Sequence, residues 1–434
     1  MSITAVIILF ALLILFLFFG VPISISLGLC AAVGALFSGL PFDSLAARLA
    51  LALNPPAADL SPLMSIPFFL LMGNIMLAGG ISKRLIEFIN VFISKTSGGL
   101  NYIAIIACAM FSALSGPAPV TVVAVGSTLY PEMTALGYPK SRSAGIFSVA
   151  GSLGSIFPPS IIMIVYASIA KVSVTDLFSA GLGIGLILLF ALLIICAIVS
   201  KRDRAKTNTA PIQKFNLKVF IKSLIKTFPI FVIAIIIFGG IYFKILSAVE
   251  AGAVGALYTI LISAFLYKSL KLRDLGSALI NSIKSSAMIL FIIAAANIFS
   301  FVLQNSQISA WFGAMALNLN LNALTFCIIC AFIVLCLGTI IDGAAICVLL
   351  VGALLPIAQG LGVSQMHFAM IICVGAVVGA VTPPVAVNIF AAKTFSGLKI
   401  GEIAKGQMPF FLGFLITYIL ITIFPIFSQF LIRN

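Results

Sequence analysis

Charged residues are scarce in this sequence of 434 residues, and acidic residues are the scarcest. Asp and Glu together number 10, against 24 Lys and Arg, and only 8% of the chain is charged. A soluble domain has about 25% charged residues, which cover its surface. The deficit therefore excludes an ordinary soluble protein, and the 62% hydrophobic content indicates a protein embedded in lipid.

The sequence also lacks the motifs of several enzyme classes. It contains no Walker A motif, so ATP is not the expected energy source. Its one histidine, His367, has no paired carboxylates or nucleophile–base set beside it, which makes a membrane enzyme the least favoured class. The eight cysteines lie mostly in apolar runs, and the C-x-x-C of Cys327 and Cys330 lacks a second ligand pair, so we interpret them as core residues.

Apolar runs long enough to cross a hydrocarbon core of about 30 Å recur along the chain. They do not alternate apolar and polar residues as porin strands do, so helices are predicted as the spanning elements. The predicted spans lie at about 4–20, 22–40, 62–82, 143–170, 176–199, 227–247, 249–267, 284–303, 366–395 and 408–430. Stretches 43–58 and 83–97 are more mixed and are predicted as surface-lying or arm helices.

The net charge of +14 comes from basic residues gathered in short loops, which follows the positive-inside rule rather than the pattern of a nucleic-acid surface. Residues 201–226 carry eight basic residues and one acidic residue, and are predicted to form a cytoplasmic linker. Counting spans outward from this linker predicts a multi-pass membrane protein with both termini in the periplasm. The first apolar run lacks a charged n-region and a cleavage site, so we expect it to be retained as a helix.

Two pairs of adjacent prolines interrupt apolar runs, Pro158-Pro159 and Pro383-Pro384, 225 positions apart. Other matches at this or a nearly equal offset are Pro131 with Pro356, Gly154 with Gly379, and AVGAL at 32–36 and 253–257. Each half contains five predicted spans, an odd number, so the second half is inverted relative to the first. The sequence thus predicts an all-α polytopic protein with two inverted-topology repeats, residues 1–200 and 227–434, which place a binding site near the membrane midplane.

An apolar segment broken at its centre precedes each proline pair. The first, at about 101–135, is interrupted by SGPAP at 115–119, and the second, at about 325–358, by Gly338-Thr339 and Asp342-Gly343. Arms of this length are too short to cross a membrane comfortably, so both segments are predicted as re-entrant helical hairpins. The helices that follow, at about 143–170 and 366–395, are predicted to be broken at the prolines.

A proline lacks the N–H that would bond the carbonyl four residues before it. Carbonyls freed in this way suit a desolvated Na⁺, and the N-terminus of the next half-helix, near Ser160 or Val385, suits a carboxylate. The predicted Na⁺-binding residues are Ser112, Ser115, Gly116, Gly154, Ser155, Phe157, Pro159, Gly338, Thr339, Gly343, Gly379, Ala380, Thr382 and Pro384. The predicted substrate-binding residues are Ser115, Ser160, Asp342 and Asn388. We expect no organic cofactor and no transition metal.

Each of these assignments has a structural alternative. The proline pairs can be ordinary kinks, which membrane helices tolerate. Asp342 can cap the second arm of its hairpin, since Asp-Gly is also a turn signal, and Asn388 can be a packing residue. A carboxylate at an apolar hairpin tip is costly, which favours a functional role for Asp342. His367, at a predicted helix start, is interpreted as structural.

The segments SGPAPVTVVAVGSTLYPEMTALGY, GSLGSIFPPSIIMIVYA, IIDGAAICVLLVGALLPIAQGLG and GAVVGAVTPPVAVNIFAA occur in this order. Together they resemble the large membrane (M, DctM-like) subunit of tripartite ATP-independent periplasmic (TRAP) transporters, and the resemblance spans nearly the whole chain. It implies an elevator-type, Na⁺-coupled secondary transporter that imports an organic acid, such as a C4-dicarboxylate or sialic acid. It also implies two partner chains, a small four-helix membrane (Q) subunit and a periplasmic substrate-binding (P) protein.

Two other functions share these sequence features. A stand-alone Na⁺-coupled dicarboxylate transporter would also have inverted repeats and hairpins, but it would need no binding protein. An ion channel can also be built from paired hairpins, but it would not show saturable uptake.

Overall fold

The computed structural model describes residues 3–53, 62–93, 99–203, 217–305, 322–383 and 386–429. Within these ranges every regular element is a helix and none is a strand, which confirms the all-α prediction. The helices are α1 (Ile3–Phe18), α2 (Ile23–Ser38), α3 (Phe42–Leu53), α4 (Ser65–Ala78), α5 (Ile81–Ile93), α6 (Gly99–Ser115), α7 (Ala118–Ala135), α8 (Lys140–Ala150), α9 (Ile161–Ala170), α10 (Val174–Asp203), α11 (Leu217–Ala234), α12 (Ala248–Leu261), α13 (Leu272–Gln304), α14 (Ala323–Gly338), α15 (Gly343–Gly360), α16 (Gln365–Gly379), α17 (Val387–Ser396), α18 (Ile400–Ile423) and α19 (Ile426–Gln429). A 3-10 turn, Gly151–Ser155, follows α8, and the π-helical turns Ile235–Gly239 and Ile262–Leu266 extend α11 and α12.

Six helical segments in the described ranges are long and apolar enough to cross a membrane. They are Val174–Lys201, Lys218–Tyr242, Ala248–Leu266, Leu272–Leu303, Gly343–Gly360 and Ile400–Ile423. The segments Ser65–Ala78 and Ile81–Ile89 would form a seventh span if taken together, although they are bent by 69°. The first two predicted spans are helices of 16 residues each, α1 and α2, which are apolar but shorter than the about 20 residues of an average span.

Helix α10 shows why the surface must face lipid. Ile184, Leu188 and Leu192 recur at four-residue spacing and are fully buried. On the opposite face Phe190 and Ile194, also four apart, are more than 60% exposed. A helix of a soluble protein would carry polar residues on that face, whereas a helix that is apolar all round is expected in a membrane.

Two long helices begin well before the apolar runs that predicted them, because capping rather than hydropathy sets where they start. Helix α13 begins at Leu272 where Asp274 accepts the backbone N–H of Lys271 at 3.3 Å. Helix α18 begins at Ile400 where Glu402 accepts the N–H of Lys399 at 2.8 Å. These acidic residues satisfy backbone donors that no helical carbonyl can reach. Helix α11 likewise begins inside the predicted linker, of which residues 204–216 lie outside the described ranges.

Two helix pairs form hairpins. Helices α6 and α7 are joined by Gly116 and Pro117 and pack on each other, and we name them the first hairpin. Helices α14 and α15, joined by residues 339–342, also pack on each other and form the second hairpin. Helix α6 contacts the 3-10 turn after α8, and α14 contacts α16. Each hairpin therefore rests on the helix that is interrupted after it.

The half-helices beyond the two interruptions exchange partners. Helix α9, which follows the first proline pair, packs against α15 of the second hairpin. Helix α17, which follows the second pair, packs against α7 of the first hairpin. The two halves of the chain are thus joined at the sites of interruption, and residues from both lie close together there.

Helices α8 and α18 cross at unusually short range. A Cβ atom on Gly145 would overlap the backbone of Gln407, and a Cβ on Gly406 would overlap the carbonyl of Ser141. The Ser141 hydroxyl donates to the carbonyl of Glu402 across the same crossing. Small residues let helices approach in this way where lipid provides no hydrophobic force between them.

We expect Gly406→Ala to destabilise the protein, because the new methyl group must push α18 away from the Ser141 carbonyl. Overpacking of this kind costs about 1–3 kcal/mol. The measurement is thermal unfolding in detergent, followed by a thiol-reactive dye that reports on buried cysteines; seven of the eight are buried. Gly401→Ala is the matched control, because nothing lies within 4 Å of that position. An unfolding midpoint for Gly406→Ala equal to that of Gly401→Ala would contradict the close crossing.

Candidate functional site

The tip of the first hairpin touches the interruption in the next helix. Gly116 has a φ of +80°, a left-handed conformation that favours glycine. A Cβ atom there would lie 3.2 Å from the carbonyl oxygen of Pro159. Glycine at this tip therefore allows both the turn and the close approach of the proline pair. The peptide bond between Pro158 and Pro159 is cis.

Gly154 leaves a small space surrounded by oxygen atoms. A Cβ atom on Gly154 would lie 3.0 Å from the carbonyl oxygen of Gly116, 3.2 Å from Oγ1 of Thr121 and 3.3 Å from Oγ of Ser112. We call this space the Gly154 gap and define it by those three oxygens. The hairpin supplies all three, and the 3-10 turn supplies the glycine that leaves room between them.

The hydroxyl groups around the Gly154 gap are not all paired. Ser112, Ser115 and Thr121 are fully buried. Oγ of Ser115 and Oγ1 of Thr121 lie 3.0 Å apart and share a hydrogen bond, whereas Oγ of Ser112 has no hydrogen-bond partner among the described residues. A buried hydroxyl without a partner costs about 1–3 kcal/mol, so an occupant of the gap would stabilise it.

Thr121 is absent from the residues predicted from the sequence. It lies one turn into α7 within an apolar run, and nothing nearby in the sequence marks it. Its hydroxyl reaches Ser115 only because the hairpin folds back at Gly116. The tertiary turn, rather than any local motif, brings the two side chains together.

Ser160 bridges the interruption in the first broken helix. Its hydroxyl donates to the carbonyl of Ser155 at 2.5 Å and accepts the N–H of Met163 at 3.4 Å, so it caps α9. The Ser155 carbonyl, one of those predicted to be freed by the prolines, therefore has one donor and keeps one lone pair. Phe157, also predicted as a ligand, packs its ring against Gly185 of α10, so only its backbone remains for the site.

The second interruption is built differently. A Cβ on Gly338 would lie 2.8 Å from Cα of Gly379, so the hairpin and the broken helix touch backbone to backbone. Thr339 donates to the carbonyl of Cys336, and Thr382 donates to that of Val378, each at 2.8 Å. Both threonine hydroxyls are therefore bonded within their own segments and keep only their lone pairs for an occupant.

Backbone donors also reach the carbonyls predicted to be free in the second interruption. The Gly379 carbonyl accepts the N–H of Thr382 at 2.9 Å, and the Ala380 carbonyl accepts that of Asn388 at 3.4 Å. Pro384, a predicted ligand, and Val385 lie outside the described residues. The two interruptions thus differ: oxygens surround a space in the first, whereas the second is closed by glycine contact.

The segment between the first proline pair and α9 lies between both hairpin tips. Gly116 of the first tip faces the carbonyl of Pro159, and a Cβ on Gly343 of the second tip would overlap the side chain of Ile162. Ser160 is therefore within a few residues of contacts with both hairpins. This arrangement brings the predicted residues Ser115, Ser160 and Gly343 into one region.

Asp342 caps helix α15 and is exposed. Its carboxylate accepts the N–H of Ala344 at 3.0 Å, which is the capping role considered for it. The cap uses one carboxylate oxygen, and the rest of the side chain is exposed at the tip of the second hairpin. Capping and a role in binding are therefore compatible at this residue.

Asn388 lies elsewhere, at the junction of α17 with α8. Its Nδ2 donates to the carbonyl of Ser148 at 3.2 Å. Gln407 of α18, which the sequence does not mark, is fully buried, and its Nε2 donates to the carbonyl of Val381 at 2.7 Å. Both amides brace the interruptions from outside the hairpin tips.

His367 has no part in this region, whereas the Cys347 thiol reaches it and donates to the carbonyl of Ile162 at 3.9 Å. Nδ1 of His367 lies 3.0 Å from Oγ of Ser428, and Nε2 lies 3.2 Å from the carbonyl of Thr422, so the ring joins α16 to α18 and α19. No group of three or more His, Cys, Asp or Glu suited to a metal occurs in the described ranges. The oxygens at the Gly154 gap are neutral, a set that suits a monovalent cation better than Mg²⁺ or Ca²⁺, which usually take carboxylates.

Comparison with known proteins gives a family match. Residues 10–427 match the family model described as "Tripartite ATP-independent periplasmic transporter, DctM component". The C4-dicarboxylate TRAP transporter large permease protein DctM of Pseudomonas aeruginosa is 36% identical over 84% of each chain, and its namesake from Rhodobacter capsulatus is 34% identical over 97% of each. The isethionate TRAP transporter permease protein DctMQ of Oleidesulfovibrio alaskensis is 32% identical over 96% of this chain, which covers 64% of that longer protein.

Among solved structures, the YdaH transporter of Alcanivorax borkumensis is similar in fold. The two superpose with a TM-score of 0.61 over 91% of each chain, at 14% sequence identity. At this identity the likeness concerns the fold alone.

We expect Ser112→Ala to weaken stabilisation of the purified protein by Na⁺. If Na⁺ occupies the Gly154 gap, removing one oxygen ligand raises the Na⁺ concentration at half-effect about tenfold or more. The measurement is the thermal unfolding midpoint against NaCl concentration, at constant ionic strength with choline chloride. Ser152→Ala is the control, because that buried hydroxyl already bonds the carbonyl of Val149. A Ser112→Ala curve that coincides with those of Ser152→Ala and the wild type would exclude Na⁺ from the gap.

Proposed function

This chain belongs to the DctM family of tripartite ATP-independent periplasmic transporters, and from that membership we propose that it imports an organic acid anion by coupling to Na⁺. It is a multi-pass membrane protein of a family of transport permeases. The proposal adds the coupling ion, the position of the site and the route of movement.

One observation supports the proposal most directly. Pro159 and Ile162 flank Ser160, and one contacts the tip of the first hairpin while the other contacts the tip of the second. The oxygen-lined Gly154 gap lies directly beside them. A cation space and a helix N-terminus therefore lie side by side, as symport of a cation with an anion requires.

Na⁺ binds first in this scheme. The Gly154 gap offers the Gly116 carbonyl and the hydroxyls of Ser112 and Thr121, all neutral, so an ion placed there brings a net positive charge. That charge, together with the N-terminus of α9, attracts a carboxylate that would otherwise be buried without a partner. The order follows from electrostatics, because an anion alone would meet the negative charge of Asp342 without compensation.

The substrate class follows from the relatives and from this site. C4-dicarboxylate and isethionate, the compounds in the names of the relatives, are small anions with oxygen-rich charged groups. The backbone N–H groups at the start of α9 suit either a carboxylate or a sulfonate. We therefore propose a small organic acid as the substrate.

The route of movement is proposed to be an elevator. In this scheme the two hairpins and the interrupted helices move together, and α4 forms part of the scaffold with α12 and α13, both of which pack on it. Where the moving helices meet the scaffold, one side of each contact is a glycine. A Cβ on Gly73 would be 2.5 Å from the Ser115 carbonyl, and a Cβ on Gly352 would be 2.7 Å from Oγ of Ser300. Such surfaces have no protruding side chain that would oppose sliding.

The exchange of partners between α9 and α17 supports two repeats of opposite orientation, residues 1–200 and 227–434 with the linker 201–226 between them. Each repeat would contribute about five spans and one re-entrant hairpin. Inverted repeats give inward-facing and outward-facing states related by symmetry, with one central site. The membrane potential adds about 2.3 kcal/mol per 100 mV for each net positive charge carried inward.

Two partners are proposed. One is a small membrane (Q) subunit, and the name DctMQ of the longer relative is consistent with such a subunit joined to a chain of this kind. The other is a periplasmic substrate-binding protein, which the family name implies. With these partners, we propose that the chain lies in the bacterial inner membrane.

The test is uptake into proteoliposomes that contain this chain and its small membrane partner. A radiolabelled C4-dicarboxylate is offered under an inward Na⁺ gradient, with and without the cognate binding protein, and with choline replacing Na⁺ as the control. We expect saturable uptake that requires both Na⁺ and the binding protein. Uptake that persists without the binding protein would instead identify a stand-alone transporter, and non-saturable flux would identify a channel.

Two substitutions at Asp342 separate the effect of helix capping from the effect of the side chain's charge. Asparagine caps helices about as well as aspartate, so Asp342→Asn should leave the unfolding midpoint unchanged while lowering Na⁺-driven uptake about tenfold or more, since the negative charge no longer attracts the cation. Asp342→Ala, which also removes the cap, should cost a further about 0.5–2 kcal/mol of stability. Full uptake by Asp342→Asn would limit the residue to its capping role.

A further inference from the structure

A second group of unpaired oxygens lies outside the hairpin tips. Oγ of Ser148, Oδ1 of Asn388 and Oε1 of Gln407 have no hydrogen-bond partner among the described residues. All three side chains are at least 99% buried. We call these three atoms the Gln407 cluster. They come from α8, α17 and α18, so the cluster joins the helix before the first interruption to the two helices after the second.

Hydrogen bonds and the crossing of α8 with α18 hold the three side chains in one region. Asn388 donates from Nδ2 to the Ser148 carbonyl, and its backbone N–H donates to the carbonyl of Ala380. Gln407 donates from Nε2 to the next carbonyl along the chain, that of Val381. The close crossing of α8 and α18 at Gly145 then sets Gln407 one helical turn from Ser148.

The same hydrogen bonds fix which way the two amides point. A backbone carbonyl can only accept, so the groups that face Ser148 and Val381 must be the NH₂ ends of Asn388 and Gln407. An exchange of O and N in either amide would place two acceptors against each other. The amide oxygens are therefore held away from their braced ends and are left as acceptors.

Position along α8 places Ser148 on the side that faces α18. Ser141 and Gly145, which contact α18, precede it by seven and three residues, so the three share one helix face. Ser143, whose hydroxyl is also buried and without a described partner, lies on the opposite face of α8. The cluster is therefore specific to one side of the helix.

We propose that the Gln407 cluster binds an additional monovalent cation, Na⁺, separate from the Gly154 gap. Two amide oxygens and a hydroxyl are neutral hard ligands, and the cluster itself contains no carboxylate of the kind that divalent cations take. A cation would take all three oxygens as ligands, whereas a water molecule would donate to the two amide oxygens and accept from Ser148, so the two occupants differ in the part the Ser148 hydroxyl plays. The ion would hold α8, α17 and α18 together across the two interruptions.

A coupling role for this Na⁺ rests on the proposed transport function, but the binding of Na⁺ to the cluster does not depend on that function. The test measures both. The complex of this chain with its small membrane partner, purified in detergent, is titrated with ²²Na⁺ at equilibrium, and Na⁺-driven uptake is measured in parallel in proteoliposomes.

Ser148→Ala removes one ligand and no hydrogen bond made by the described residues, so the fold should survive. We expect its apparent affinity for the ion at the Gln407 cluster to fall about tenfold or more. In the concentration range where the wild type is saturated, it should therefore bind one ²²Na⁺ fewer per complex. Ser143→Ala is the matched control, since it removes an equally buried hydroxyl from the other face of α8.

Asn388→Asp provides a change of opposite sign. It replaces Nδ2, which donates to the Ser148 carbonyl, by a carboxylate oxygen, so without a bound cation the complex should be less stable than the wild type, and added Na⁺ should restore more stability than it adds to the wild type. Identical ²²Na⁺ binding by wild type, Ser148→Ala and Ser143→Ala would overturn the proposal and assign the cluster to a structural water. If that result accompanies Na⁺-dependent uptake by the wild type, only this site is lost. If uptake is independent of Na⁺ while Ser148→Ala still loses an ion, the transport proposal fails and the site stands.

Discussion

A membrane offers no water to bond an exposed backbone group, and the rest of this structure follows from that constraint. A helix can be interrupted at membrane depth only where protein satisfies the freed groups. At the first interruption the Ser160 hydroxyl bonds the Ser155 carbonyl, and at the second Gln407 bonds the Val381 carbonyl. The interruptions are therefore braced by side chains from a neighbouring turn or another helix. Where bracing is incomplete, buried oxygen atoms remain, and these are the atoms that can bind an ion.

Close packing follows from the same constraint. An interrupted helix has fewer backbone hydrogen bonds of its own, so its neighbours must approach near enough to replace them. Gly145 and Gly406 let α8 and α18 meet, and Gly338 and Gly379 let the second hairpin touch the second broken helix. Gly154 has a different role, since the atoms that come within 3.3 Å of its missing Cβ are the oxygens of Gly116, Thr121 and Ser112. Small residues thus allow both the close helix contacts and the approach of oxygen atoms at these interruptions.

Much of this architecture could be predicted because it depends on local chemistry. Apolar runs predict helices, and Pro158-Pro159 predicts that a helix must end nearby. The α-helix ends already at Ala150, because Gly151 begins a 3-10 turn against which Val122 packs closely. Nothing in the local sequence indicates that Val122 would be there.

The site was less predictable for the same reason. Ser112 and Ser115 stand out as polar residues near a turn, but Thr121 joins them only through the fold of the hairpin. Gln407 donates to the carbonyl of Val381, which lies 26 positions away in the chain. The sequence pattern of its own helix shows only that Gln407 is polar and does not indicate this partner. The sequence also suggested equal roles for the two interruptions. The backbone contact of Gly338 with Gly379 makes them different, and a contact of two glycines leaves no signal in hydropathy.

We propose above all that an interrupted helix and a hairpin tip together form a Na⁺ site. The most direct measurement is a density map of the complex in Na⁺, at a resolution that shows ordered ions, compared with a map in N-methyl-D-glucamine. We expect a peak in the Na⁺ map alone, within bonding distance of the Gly116 carbonyl, Oγ1 of Thr121 and Oγ of Ser112. A Gly154 gap that is the same in both maps, with the Ser112 hydroxyl bonded to protein and no ion beside it, would contradict the account.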